Sequence, residues 1–226
     1  ELGNWGAEKV TLDLPYISDD KASILTDAIE SCRQLNLEFD VVFANTNTSY
    51  DPDAEGRSSG KTGSDIERIL AFNAIGREDP VEYQEDWHEV LAHALSIEAE
   101  YMDKIYREKL TEIQYEVTRN SATERAFTGL YDKHFVEGDY HCVCCGHLLF
   151  RSTGKYNSGC GWPAFHTEAN EAMISRIEDL SHGMVRVEVK CSKCDAHLGH
   201  VFEDGPRQHG GERYCINSAA LDFKEG

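Results

Sequence analysis

Two short cysteine knuckles constrain this chain more than any other feature. Cys142-Val-Cys144-Cys145 and Cys191-Ser-Lys-Cys194 each place two thiols three positions apart. A pair at that spacing can bite one metal ion from a tight turn, and two such turns complete a tetrahedral four-thiolate site. Cys142, Cys145, Cys191 and Cys194 are the predicted ligands, and a closed all-sulfur site suits zinc best. The 45 residues between the knuckles (146–190) exceed the usual ribbon gap. A whole sheet must sit between them, so the predicted zinc is a structural staple across a domain. Four thiolates leave no open position for water or substrate, and any catalysis must lie elsewhere. Cys144 is a spare thiol, wrongly spaced from Cys145 to chelate with it.

The surrounding pattern is β. From Thr111 onward, short alternating segments follow one another at 140–143, 147–150, 184–189, 198–202 and 214–217, separated by turns such as Glu137-Gly138-Asp139 and Asp204-Gly205-Pro206. They predict a mainly antiparallel, zinc-stapled domain of two sheets with few helices. Residues 1–110 read as a mixed α/β region. Expected there are a strand at 10–14, a helix capped by Ser18 or Asp19 and running to about Leu35, and a short buried strand at 39–44. A polar, mobile loop at 45–64 follows, then a helix opened by Ser64 or Asp65. A longer helical stretch runs from Asp79-Pro80 to about Leu110, its apolar stripe from Trp87 to Met102 serving as packing surface. The predicted division is an acidic α/β region over 1–110 and a second domain over 111–226.

The chain carries 41 acidic and 22 basic side chains, for a net charge of −19. Residues 1–110 hold 24 of the acids and 10 of the bases, so most of the excess lies there. Nucleic acid and anionic membranes are bound by releasing counterions to basic side chains, and this balance excludes both as partners. No apolar run reaches transmembrane length. The chain opens on Glu1 rather than Met, which reads as a fragment or a processed product. Thiols spaced for metal rather than disulfides place it in a reducing intracellular compartment, the cytoplasm first, or an organelle if a targeting peptide was removed.

A glycine-rich stretch, Gly56-Arg-Ser-Ser-Gly60-Lys61-Thr62, lies ahead of the predicted helix. A phosphate-binding loop needs four residues between its glycines, and here there are three, with Glu55 where a glycine would stand. The stretch reads as a Gly/Ser loop.

Two further cysteines lie in the β region. Cys160 sits in Ser158-Gly-Cys-Gly-Trp-Pro163, and Cys215 in Arg213-Tyr-Cys-Ile-Asn217. Side chains repeat every second residue along a strand, so Arg213, Cys215 and Asn217 should share a face. A guanidinium beside a thiol stabilises its thiolate, and an amide can orient it. Asp195-Ala-His197-Leu-Gly-His200 adds two imidazoles beside the second knuckle. Cys32, alone on a helix, reads as a packed thiol.

These stretches resemble a B-type methionine sulfoxide reductase from about residue 111 to 223. The resemblance is carried by Thr123-Glu124-Arg125, the two knuckles with Gly146, Ser158-Gly-Cys-Gly-Trp-Pro-Ala-Phe165, His182-Gly-Met184, the run from Asp195 through His200 to Phe202, and Arg213-Tyr-Cys-Ile-Asn-Ser-Ala-Ala-Leu221. Ala164 stands where serine is commoner in that family. Residues 1–110 carry no part of the resemblance.

The resemblance implies that Cys215 is the nucleophile and Cys160 the resolving cysteine. Trp162, with Phe202, would wall the substrate and select the R epimer. His182 and His200 would position and protonate the sulfoxide oxygen, with His197 beside them, and Arg213 and Asn217 would tune the thiolate. It further implies reduction of methionine R-sulfoxide, free or in proteins, through a Cys215 sulfenic acid and a Cys160–Cys215 disulfide recycled by thioredoxin or a similar dithiol, with structural zinc and no organic cofactor. The rival class is a non-catalytic zinc-stapled binding module with residues 1–110 as the principal actor. Loss of Cys215 would have favoured it, and Cys215 is present.

Overall fold

The computed structural model describes residues 21–46, 49–170, 172 and 174–226. The strand expected at 10–14 and the caps expected at Ser18 or Asp19 lie outside the described residues. The chain forms two compact units, Glu1–Met102 and Asp103–Gly226.

The first unit is helical among the described residues: α1 (Lys21–Leu35), α2 (Phe39–Ala44), α3 (Gly63–Ala74) and the start of α4 (Trp87–Lys109). The stretch 39–44, expected as a strand, is a helix. Its apolar residues explain why. Phe39, Val42 and Phe43 stand at the i, i+3, i+4 spacing of one helical face and pack with Leu25, Cys32 and Phe72, while Val41 is left in solvent. Cys32 is buried in that cluster. A second cluster joins Ile69, Val90 and Ala94, so the α4 stripe is packing surface through Val90 and Ala94, whereas Leu95 is exposed.

Between α2 and α3 the loop is tied down rather than loose. Ser58 is buried and forms a parallel bridge with Tyr83. Thr62, not Ser64 or Asp65, caps α3, and Asp65 closes a capping box by accepting from the Thr62 backbone. The helix N-terminus beside the glycine-rich stretch is therefore filled by the chain's own carboxylate. Nor does a helix start at Asp79-Pro80. Asp79 is instead buried against Arg68, taking Nε at 2.5 Å and Nη2 at 2.8 Å, and α4 begins at Trp87. Removing one partner of such a buried pair costs about 3–5 kcal/mol.

The second unit opens with α5 (Glu112–Arg119), capped by a Thr111–Gln114 box, and continues as antiparallel β structure. Among the described residues nine strands follow: β1 (Gly138–Cys142), β2 (Leu148–Arg151), β3 (Lys155–Tyr156), β4 (Ala164–Phe165), β5 (Ile174–Asp179), β6 (Arg186–Cys191), β7 (His197–Phe202), β8 (Arg213–Ile216) and β9 (Leu221–Glu225). They build a three-stranded sheet, β2-β1-β9, and a six-stranded sheet, β3-β4-β8-β7-β6-β5. All five strands expected here are present. The two sheets bring Tyr140, Phe150, Phe165 and Tyr214 into one fully buried ring cluster, with Phe150 and Phe165 stacked at 4.4 Å. Ring pairs of this kind add ~1 kcal/mol each beyond the area they bury. Tyr214 and Ile216 face this core, which turns Cys215 to the opposite face of β8.

Candidate active site and metal centre

Register assembles the site. Residues directly opposite in an antiparallel pair share a face, so the row Ala164, Cys215, His200, Glu188, Ile177 runs across β4, β8, β7, β6 and β5 on the side away from the ring cluster. The next row pairs Arg213 with Phe202 and Arg186 with Asp179. Over these rows lies a cavity of about 120 Å³ lined by Thr123, Trp162, Arg186, Gly199, His200, Phe202, Cys215 and Asn217. Three larger cavities, of about 170, 460 and 510 Å³, have neither cysteine nor histidine among the described residues of their walls.

Cys160 reaches the edge of this site on a turn between β3 and β4, its Sγ 3.7 Å from Cys215 Sγ. The turn needs glycine at 161. There φ is +93°, and a Cβ would come within 2.9 Å of the Ala126 Cβ and 3.0 Å of the Phe127 nitrogen. Ser158 Oγ donates to Cys160 Sγ at 3.0 Å. Trp162 is held by its indole, Nε1 donating to the Glu124 carbonyl at 3.0 Å. At Gly199 a Cβ would sit 2.0 Å from the Cys215 carbonyl oxygen, so only glycine lets β7 approach β8 here.

The two thiols are unequal. Burial pushes Cys215 up to about 12, the Cys160 sulfur adds to the effect, and Arg213 opposes it. Burial also disfavours the Cys160 thiolate, but the Ser158 hydroxyl, the Trp162 backbone, the Cys215 thiol and the Arg213 charge bring it below its ordinary value. Stabilisation of the Cys215 thiolate by Arg213 acts in the expected sense but is outweighed by burial. The same guanidinium also pairs with Asp204, with Nε at 2.7 Å and Nη2 at 2.9 Å, and lies over the Phe202 ring. Of the two thiols, Cys160 is therefore the one that ionises more readily while both are reduced.

Other predicted residues fall in different places. His200 lines the cavity and bonds Asp179 through Nε2 at 2.8 Å. His197 is buried outside the cavity wall, its Nδ1 bonded to Glu188 at 2.6 Å and its Nε2 without a partner among the described residues. Asn217 is a brace, since its amide donates to the Leu198 carbonyl at 3.0 Å and accepts from the Glu124 nitrogen at 3.1 Å. His182 lies in the turn Ser181–Gly183, and its side chain is outside the described residues. Arg186, Asp179, Thr123 and Glu124 were not singled out as site residues from sequence. Arg186 alone had a usable signal, the alternation of 184–189 that sets it on the same side as Glu188.

The four knuckle cysteines converge elsewhere in the unit. Cys142 ends β1 of one sheet and Cys191 ends β6 of the other, with Cys145 and Cys194 on the turns that follow. Their four sulfurs lie within 4.8 Å of one another, with Cys142–Cys194 at 3.7 Å and Cys145–Cys191 at 3.6 Å. A tetrahedron with metal–sulfur bonds of about 2.3 Å has edges of about 3.8 Å. The spacing therefore fits a four-thiolate metal site and is far too long for disulfides. Cys144 is buried beside them and is not among the four.

A cavity backed by two thiols and an imidazole, on a β domain with a four-cysteine metal-type cluster, is the architecture of a thiol oxidoreductase. Residues 110–225 match the SelR domain, and the chain belongs to that family, bearing out the B-type methionine sulfoxide reductase resemblance. A peptide methionine sulfoxide reductase MsrB of Synechococcus sp. (strain RCC307) is 56% identical over 120 residues, covering 53% of this chain and 88% of that protein. The protein of the same name from Burkholderia thailandensis is 57% identical over 122 residues (54% and 85%), and that from Variovorax paradoxus 59% over 111 residues (49% and 81%). Among the described residues, no helix is long and apolar enough to cross a membrane.

Proposed function

We propose that this enzyme reduces methionine R-sulfoxide, free or within proteins, with Cys215 as nucleophile. The observation that carries the assignment is access: of the two paired thiols, Cys215 lines the cavity and Cys160 does not. Cys215 Sγ attacks the sulfoxide sulfur, and the oxygen transfers as the S–O bond breaks. The proton of the Cys215 thiol is accounted for in the sulfenic acid, so no net proton is taken up, and the products are methionine and a Cys215 sulfenic acid. The methionine sulfur is reduced by two electrons and Cys215 oxidised by two. A sulfoxide oxygen leaves poorly unless protonated, so an acid at the cavity wall is needed, and His200 in its doubly protonated form is the candidate. Trp162 and Phe202 supply apolar surface for the substrate's methyl group and so select one epimer.

Cys160, 3.7 Å away, then condenses with the sulfenic acid, releasing water and forming a disulfide. An external dithiol of the thioredoxin class reduces it by exchange. Such a cycle needs a reducing compartment. Zinc fits the four-sulfur cluster, where the closed thiolate set gives it a structural task. The deciding assay offers each epimer of a methionine sulfoxide peptide with a dithiol reductant. Turnover of the R epimer alone is expected; equal turnover of both would remove the stereochemical role of Trp162.

A further inference from the structure

The β5–β6 hairpin brings one carboxylate to two residues of the cavity wall. Asp179 closes β5 opposite Arg186 on β6. Its Oδ2 accepts from His200 Nε2 at 2.8 Å and from Arg186 Nη2 at 2.6 Å, and its Oδ1 accepts from the Ser181 backbone at 2.9 Å. His200 and Arg186 both line the cavity with Cys215, whereas Asp179 does not. The Ser181 hydrogen bonds, with His200 and Arg186 acting in the same sense, hold the Asp179 carboxyl well below the usual carboxylate range. It is therefore an acceptor only, and the His200 nitrogen facing it must carry hydrogen. Nδ1 is left without a protein partner among the described residues.

We infer that Asp179 is a positioning residue for the reaction: one carboxylate fixes the Nε2–H tautomer of His200 and holds the Arg186 guanidinium, so that a ring nitrogen and a cation stand at the cavity wall that Cys215 also lines. The inference rests on reading that cavity as the sulfoxide site. The arrangement parallels a carboxylate that orients a catalytic histidine from behind, where exchanging the carboxylate for an amide leaves the geometry in place and costs rate through the wrong tautomer. A plain cross-strand ion pair between Asp179 and Arg186 would instead only staple the hairpin.

The test uses the full chain, reduced and metal-bound as purified. Long-range 1H–15N spectra at mildly alkaline pH report which ring nitrogen of His200 carries the proton. Nε2–H is expected, and Nδ1–H in the unmodified protein overturns the inference whatever any variant does. Asp179→Asn is expected to lower kcat by about a hundredfold or more with KM nearly unchanged and to shift the His200 tautomer population, with partial recovery in Asp179→Glu. Arg186→Met removes the staple and should leave the tautomer as it was. Equal losses in Asp179→Asn and Arg186→Met with an unaltered tautomer would reduce Asp179 to a hairpin staple. Should the parent protein not reduce methionine sulfoxide at all, the functional reading falls while the tautomer result stands.

Discussion

Two groups of thiols in the same unit have nearly the same sulfur spacing, and we propose opposite chemistry for them. The knuckle pairs stand at 3.7 and 3.6 Å and the Cys160–Cys215 pair at 3.7 Å. What separates them is how many sulfurs converge and what reaches them. Four sulfurs from the ends of strands in two sheets close around one point and leave no coordination site open. One sulfur on a sheet face and one on the turn at its edge leave Cys215 at a cavity, with Arg213 close by and the Ser158 hydroxyl on Cys160. Spacing alone thus says little about a thiol's task.

The sharpest break between the groups is expected at Cys215. Cys215→Ser should lower turnover at least about a thousandfold, since among the described residues no other sulfur lines the cavity. Measurable turnover in that variant would return the nucleophile to Cys160, whose thiol is the more easily ionised. Cys160→Ser is expected to release one methionine per chain in a single turnover and then to stop with a thioredoxin-type reductant. Full cycling in that variant would show that another thiol, Cys144 included, resolves the sulfenic acid. At the knuckles the effect moves from rate to stability. Cys191→Ser should lose the metal and lower Tm by ~10 °C or more, while protein still folded keeps its chemical step within about tenfold. Loss of turnover with metal and Tm retained would make the cluster part of the active site.

How much of this was legible beforehand follows from what each feature depends on. The knuckles were readable because local spacing specifies chelation, and Cys215 because alternation along one strand sets it apart from Tyr214 and Ile216. Residues 39–44 misled because a six-residue apolar run is compatible with strand and helix alike, and packing against Leu25 and Phe72 decides between them. Asp179 was invisible for a different reason, and the alternation of 184–189 gives Arg186 no more than its face. Their place beside His200 is set by the register of three strands, which no single strand's pattern encodes. The pairing of Arg213 with Asp204 likewise rests on a contact that the β8 pattern does not encode.

The smallest effect is expected from removing the half that carries no part of the site. The sequence pattern places a boundary near residue 110, whereas the compact units meet between Met102 and Asp103, within α4. The last turns of that helix hold to the β unit through specific contacts. Tyr115 Oη donates to Asp103, which also takes Arg107 Nε at 2.8 Å. Arg119 lies over the Tyr106 ring at 4.6 Å and donates to the Cys194 carbonyl at 2.7 Å, and Lys109 Nζ donates to the Cys144 carbonyl at 2.5 Å. Lys109 of α4 thus braces the backbone of the first knuckle, and Arg119 of α5, stacked on Tyr106 of α4, that of the second. We propose that residues 103–226 fold alone, bind the metal and keep the chemical step within about tenfold, a change of at most ~1.4 kcal/mol in transition-state terms. A fragment starting at 111 gives up Asp103, Tyr106 and Lys109 and should melt several degrees lower while retaining the same active thiols. Thermal unfolding and single-turnover assays on the two fragments separate these outcomes. If the longer fragment is insoluble or inactive while the full chain works, the two halves fold as one body and the division between them is wrong.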